Sequence, residues 1–311
     1  VLGTVAVRAN PSGRPTKAGF SVSHEYVHFV GKSASAVIGK MNPTDEQVAR
    51  FSEQDDEGPF EWRNLRREGS NSDRSARRAL YYPLYVTDDA VRVPEMMWDE
   101  DVEEWLPQEP TGGQEVETWP IDDKGNEKTW RWSHEKVLAS MKDVAVRKDR
   151  SGKNYAYYKR RPNEEGVVTV TSWFDAKYSA TEHGTALLKK LFGKRMFSYP
   201  KSVYAVQDSV YVAGLSQPNA MALDFFAGSA TTGHAVINLN REDGGARKFV
   251  LVEQGEYFDS VTLPRIAKVM TAPEWKDGQP KDSVQRADHG DPDHWSRRTL
   301  PLVRVLRLER Y

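Results

Sequence analysis

Met221-Ala-Leu-Asp-Phe-Phe-Ala-Gly-Ser-Ala-Thr-Thr-Gly-His-Ala-Val236 decides the reading of this chain. An apolar run ends in Asp224, a glycine-bearing turn follows, and a helix is expected to start near Thr231. After a short charged turn, Lys-Phe-Val-Leu-Val-Glu-Gln-Gly-Glu-Tyr257 supplies a second apolar strand over 249–252 and places Glu253 at its end. Glycine lets backbone approach a ligand closely because it has no Cβ. A helix start adds free N–H donors and the positive end of a dipole. An acid at the end of the next strand can accept both hydroxyls of a ribose. Gly233 and Glu253 are 20 positions apart, the spacing such a carboxylate needs. The stretch therefore predicts an α/β nucleoside site. Gly228-Ser-Ala-Thr-Thr-Gly233 also fits the dinucleotide pattern loosely, with alanine at its second glycine. Asp224 argues against a pyrophosphate there, because a carboxylate repels phosphate. It suits a ligand carrying an ammonium group, such as the amino-acid end of S-adenosylmethionine.

The 311 residues are enough for about two domains and a large core. A charged share of 29% against 38% apolar predicts a soluble protein with long polar insertions. No apolar run reaches the ~20 residues of a membrane helix. Without cysteine there are no disulfides and no cysteine zinc sites, which fits a reducing cytoplasm. No metal site is expected. The chain starts at Val1 in what reads as the middle of a buried element, so a piece of a longer chain is expected.

The net charge of -1 hides strong local bias. Residues 63–78 hold six arginines against two acids, 95–127 hold twelve acids against one lysine, and 142–161 hold eight basic residues against two acids. The acidic run reads as solvated turns. The basic runs, the second interleaved with Tyr155, Tyr157 and Tyr158, offer phosphate-neutralising cations: Arg74, Arg77 and Arg78 in one, Arg147, Lys148, Arg150 and Lys153 in the other. A strand is expected over 25–30 and a helix over 42–59 capped by Asn42 or Thr44. Further strands are expected over 80–86, 167–174 and 300–309, and helices over 181–192 (capped by Ser179 or Thr181, stopped by Gly193) and up to about 213. Residues 271–298 read as a polar loop.

Asp224-Phe-Phe-Ala-Gly-Ser-x-Thr-Thr-Gly-His-Ala-Val236 with Val252-Glu-Gln-Gly-Glu-Tyr257 closely resembles the modification subunits of type III restriction-modification systems. These are S-adenosylmethionine-dependent adenine methyltransferases of the class whose cofactor half follows its catalytic half. The resemblance extends to Thr181-Glu-His-Gly-Thr185, Leu191-Phe-Gly193, Phe197-x-Tyr-Pro-Lys201, Asn10-Pro-x-Gly-Arg14, His24-Glu-Tyr26, Gly69-Ser-Asn-Ser-x-Arg74-x-x-Arg77 and Tyr81-Tyr-Pro83, in the same order over nearly the whole chain. It implies a Rossmann-like methyltransferase sheet, incomplete at its N-terminal catalytic part, with an inserted β-rich or irregular recognition region. The segments are then 1–86 for the remaining core, 87–174 for target recognition and 175–311 for the cofactor half.

By the resemblance, Asp224 and the backbone of Phe225, Phe226 and Gly228 hold the methionine end. Ser229 and Thr231 sit at the helix start, Glu253 binds ribose, and Pro200 and Lys201 lie opposite. His24 and Glu25 are candidates for a target-base pocket. The implied partners are double-stranded DNA, a second copy of the chain, and a restriction subunit with helicase and nuclease functions. Two departures stand out. Ala230 replaces a glycine, which puts cofactor affinity in question. The Asp-Pro-Pro-Tyr motif that would clamp the target amine is absent, and Asp291-Pro-Asp-His-Trp295 is a poor match, so no catalytic residue is assigned. The alternatives are a non-catalytic specificity module and a nicotinamide-dependent oxidoreductase.

Overall fold

The computed structural model describes residues 1–148, 152–163, 165–281 and 303–307. The chain divides into two units, one of residues 1–42 with 165–311, the other Pro43–Glu164. This division differs from the three segments read from sequence. Residues 43–86 group with 87–164, and 165–174 group with 1–42.

In the first unit, Gly3–Val7 runs antiparallel to Glu25–Phe29 and parallel to Ser172–Trp173. Val5, Val7, Phe29, Trp173, Tyr178 and Val212 form one core here. Met221–Asp224 and Lys248–Leu251 pair in parallel, from Met221 opposite Lys248 to Asp224 opposite Leu251. The helix Thr231–Asp243 connects them, so this is a strand–helix–strand unit. The alternation of the strand settles its faces. Ala222 is buried, while Met221 and Leu223 are exposed. Helices Leu187–Phe192, Thr231–Asp243 and Leu263–Thr271 share a core of Leu188, Leu191, Ala230, Ile237, Ile266 and Val269, with Phe249 and Leu251 packed against it. The expected single, mostly parallel sheet is not seen among the described residues, where the strands of this unit fall into separate sheets. Alternation identifies a strand and its buried face, not its neighbour.

The second unit is β-rich. One sheet orders the strands Val144–Lys148, Asn154–Arg160, Gly58–Asn64 and Glu53–Asp55. A second pairs Leu84–Val86 with Val91–Arg92 and Val116–Thr118, and Met96–Asp99 pairs with Glu104–Pro107. Leu65, Tyr82, Leu84, Trp130, Val137 and Ala156 are its innermost residues.

Several elements differ from expectation. The helix expected over 42–59 is only Asp45–Val48, with Thr44 in a capping box with Gln47. The rest of that stretch is a hairpin, turned through Gly58 at φ 114°. Of 167–174 only Ser172–Trp173 is strand. Residues 303–307 are not in a strand, and the rest of 300–309 lies outside the described residues. The helix over 181–192 is present, with the Ser179 hydroxyl accepting from Glu182 N and a stop at Gly193, φ 76°. Ser202 caps the next helix, Val203–Val210.

Candidate functional site

The turn at 225–230 is tied to both strands. Val252 N donates to Asp224 O at 2.8 Å, and Ala227 N donates to Val252 O at 3.1 Å. Asp224 then uses both carboxylate oxygens locally. One accepts from Phe226 N at 3.0 Å, the other from the Thr232 hydroxyl at 2.6 Å. Glu253 closes the opposite side, accepting from Gly228 N at 2.7 Å and from the amides of Gln254 and Gly255 at 2.9 and 2.7 Å. Partial burial disfavours the Glu253 charge, but the amides of Gly255 and Gly228, the Tyr257 hydroxyl and Gln254 N outweigh it and hold the carboxyl below its usual range. Glu253 therefore faces the glycine turn as an ionised group.

Gly228 has φ 53°, and a Cβ there would lie 3.5 Å from the Phe197 ring. Phe197 meets Tyr257 edge to face at 5.0 Å. Gly228 thus lies between an aromatic wall and two carboxylates, its N–H on Glu253 and its carbonyl on Thr262. Phe225 and Phe226 are 63% and 86% exposed, so their rings are surface groups rather than core.

Ser229 and Thr231 face the other way. Both are buried, and their hydroxyls accept from Arg265 Nη1 at 3.0 Å, as does Ser229 O. Their side chains hold the turn from beneath. Arg265 is fully buried, and burial pulls its pKa down to about 9. Its other contact is His234 Nδ1, at 3.1 and 3.3 Å. An arginine only donates, so Nδ1 is the acceptor and the His234 proton sits on Nε2. Burial, then the charges of Arg265 and Arg241, push the His234 pKa well below its ordinary value. One turn earlier, Thr262 donates to Gly228 O at 2.6 Å. The helix after Glu253 therefore grips two successive carbonyls of the turn, and the sequence reading missed both Thr262 and Arg265. Phe197, Tyr257 and Thr232 stood inside or beside the recognised motifs but were given no role.

Ala230 adopts a left-handed conformation, φ 62° and ψ 38°, where glycine is usual. Its methyl is fully buried within the helical core.

Pro200 is buried. A Cβ on Gly184 would lie 2.5 Å from Pro200 O, so this glycine is required for the close approach of the two segments. Lys201 Nζ donates to Glu25 at 2.6 Å, and Arg14 approaches the same carboxylate at 3.7 Å. His24 bonds the Tyr26 hydroxyl at 2.9 Å.

Two of the basic candidates of the second unit, Arg74 and Arg78, are internal partners of the acidic run. Arg74 Nη1 donates to both carboxylate oxygens of Glu127 at 3.1 Å, and Arg74 pairs with Glu104 and lies 4.3 Å over Tyr81. Burial first, then Glu127, raises the Tyr81 pKa to about 12. Arg78 pairs with Glu103. Arg77 donates to Asn71 O at 3.3 Å. Arg147 lies 3.8 Å from Glu53 and over Trp62, Lys148 is exposed at a strand end, and Lys153 lies over Tyr155. Arg150 and Asp291–Trp295 lie outside the described residues. The acidic run is therefore not merely solvated, since Glu109 and Glu115 also hold Arg92.

The arrangement defines an α/β protein organised around a glycine turn that is closed by acids at the ends of two parallel strands. Residues 3–262 match the family described as DNA methylase, and the chain belongs to that family. It is 29% identical over 253 residues to the type III restriction-modification enzyme EcoPI Mod subunit of Escherichia phage P1, covering 79% of this chain and 37% of that protein. It is 31% identical over 257 residues to the type II methyltransferase M.KpnI of Klebsiella pneumoniae, covering 81% and 55% respectively. A third match, to the StyLTI Mod subunit of Salmonella typhimurium, is 32% identical over 112 residues. The chain thus spans 37% to 55% of the length of the first two relatives.

Proposed function

We propose that this chain is the cofactor-binding and recognition part of a site-specific DNA adenine methyltransferase. In this reading it belongs to the modification subunit of a type III restriction-modification system. The observation that carries the reading is the glycine turn at Gly228 flanked by Asp224 and Glu253. Two carboxylates and an aromatic wall suit a nucleoside with a cationic amino-acid end better than a pyrophosphate. S-adenosylmethionine, when bound, supplies an electrophilic methyl group for the exocyclic amine of adenine. Asp224 and the backbone at Phe225, Phe226 and Gly228 would hold its ammonium and carboxylate end. Glu253 would take the ribose hydroxyls, exchanging some of its present amide and Tyr257 contacts. Ser229 and Thr231 contribute by fixing the turn, and Pro200 with Lys201 would form the facing wall. The fold is read as Rossmann-like, with residues 43–164 as the recognition region. The partners are double-stranded DNA, a second copy of the chain and a restriction subunit, in the cytoplasm.

Calorimetry with S-adenosylmethionine and with NAD tests the cofactor. Binding of the first, abolished by Asp224→Ala and weakened at least tenfold by Glu253→Gln, is expected. Binding of NAD alone would overturn the reading in favour of an oxidoreductase. A methyl-transfer assay on duplex DNA separates an active enzyme from a specificity module, because the chain carries no Asp-Pro-Pro-Tyr sequence to orient the amine.

A further inference from the structure

The second unit is rich in acids, and most of its cations are claimed by them. Arg66, Arg74, Arg78, Arg92, Lys128, Lys142, Lys159, Arg160 and Arg161 all pair with carboxylates. Among the described residues Arg50, Lys124 and Lys148 are in no such pair, and nor are four further arginines, Arg63, Arg67, Arg77 and Arg131, although twelve acids lie in 95–127 alone. The four are not scattered. Arg63 and Arg131 line one small surface hollow with Trp62, Asn64 and Glu68. Arg67 and Arg131 lie on two segments bridged at Arg66 and Trp130, joined through Arg67 N to Thr129 O and Arg131 N to Leu65 O, both 2.8 Å. Arg67 carries a buried Nε with no acceptor. Its proton affinity is lowered by burial, then by the charges of Arg77 and Arg131.

An aromatic surface accompanies them. Tyr158 stands directly across from Arg63 in the strand pair, and Trp132 packs on Tyr158 at 4.7 Å. Lys136 lies 4.8 Å over Trp132 and is likewise in no ion pair. Guanidiniums gathered with only Glu68 among them leave positive charge uncompensated, which an external anion can complete.

We infer that Arg63, Arg67, Arg77 and Arg131 form a surface that takes the phosphate backbone of duplex DNA. Of the cations singled out from sequence, only Arg77 belongs to this surface. Guanidinium forks suit phosphate oxygens, and Arg63 and Arg77 are exposed to them while Arg67 and Arg131 are half-buried behind. Glu68 at the rim limits how deeply a phosphate can enter beside Arg63 and Arg131.

The inference rests on the DNA-methyltransferase reading, and the salt dependence of DNA binding tests each separately. The whole chain is titrated onto a fluorescent duplex between 50 and 200 mM KCl. Each phosphate contact removed is expected to lower the log–log slope by about 0.9. Arg63→Gln, Arg77→Gln and Arg131→Gln should each lower it by about that much. Affinity of each variant would then fall roughly threefold less across this salt range than that of the unchanged chain. Arg160→Gln, which removes a cation already paired with Glu61, should leave the slope unchanged. Circular dichroism confirms that each variant is folded. If the unchanged chain binds duplex with a steep slope and the three variants keep it, the inference is wrong and the reading survives. If the unchanged chain shows no salt-dependent binding, the DNA reading fails and the surface with it.

Discussion

Arg265 is a buried cation in no ion pair among the described residues, and its hydrogen bonds go to Ser229, Thr231 and His234. Replacing it with methionine removes an unpaired buried charge, which stabilises. It also strips a donor from Ser229 O and from two buried hydroxyls, each costing about 1–3 kcal/mol when unmet. The second effect wins, so Arg265→Met is expected to lower stability by about 2–3 kcal/mol in urea titration. His234 sets a pH signature. Its folded pKa is depressed, so below about pH 6.5 the unfolded chain binds a proton that the folded chain refuses. Stability is unaffected above that pH and falls as pH drops beneath it, by up to about 1.4 kcal/mol per pH unit from this group. His234→Asn keeps an acceptor at the Nδ1 position and should remove that part of the slope in denaturation midpoints measured from pH 7 to 5. Ala230→Gly relieves about 1–2 kcal/mol of left-handed strain but loses a buried methyl and gains unfolded-state entropy. These terms nearly cancel, so a stability change within about 1 kcal/mol and unaltered S-adenosylmethionine affinity are expected.

Helix ends and helix contacts position these residues. Gly233 has no room for a side chain, because a Cβ would lie 2.6 Å from Ile266 and 3.1 Å from Leu251. That contact seats the Thr231–Asp243 helix against the strand bearing Glu253 and against the helix bearing Arg265. The helix ending at Phe192 stops because Gly193 turns left-handed, with Asp277 O 3.1 Å from its missing Cβ. Gly193→Ala should cost about 1–2 kcal/mol through backbone strain, read as a lower midpoint in thermal or urea unfolding.

Across the molecule, charge is distributed by pairing rather than by segment. Glu115, held by Arg92 and by Gly112 N, has its pKa lowered to about 2, and Asp122, held by Asn126, is likewise near 2. Glu57 and Glu109 move in the same direction. Folded pKa values below the unfolded ones give stability that is full above about pH 4.5 and is lost as pH falls toward 2. Six of the nine tryptophans, at 62, 98, 105, 119, 130 and 132, lie in this unit. Tryptophan fluorescence should therefore report an acid transition in that window, and Arg92→Gln should shift it to higher pH.

Local chain chemistry made the donor turn legible. A strand ending in Asp224, a glycine turn, a helix start and Glu253 at the next strand end are written within one stretch, because each feature depends on neighbours in sequence. The inward orientation of Ser229 and Thr231 was not legible, since Arg265 lies 34 or more positions away and no spacing code links them. For the same reason the sequence showed basic and acidic runs but not which arginines were already taken. Composition and pattern determined the α/β class, the turn and its two carboxylates. Only the tertiary structure decided what braces the turn from beneath and which cations are left for an outside anion, because those depend on contacts between residues distant along the chain.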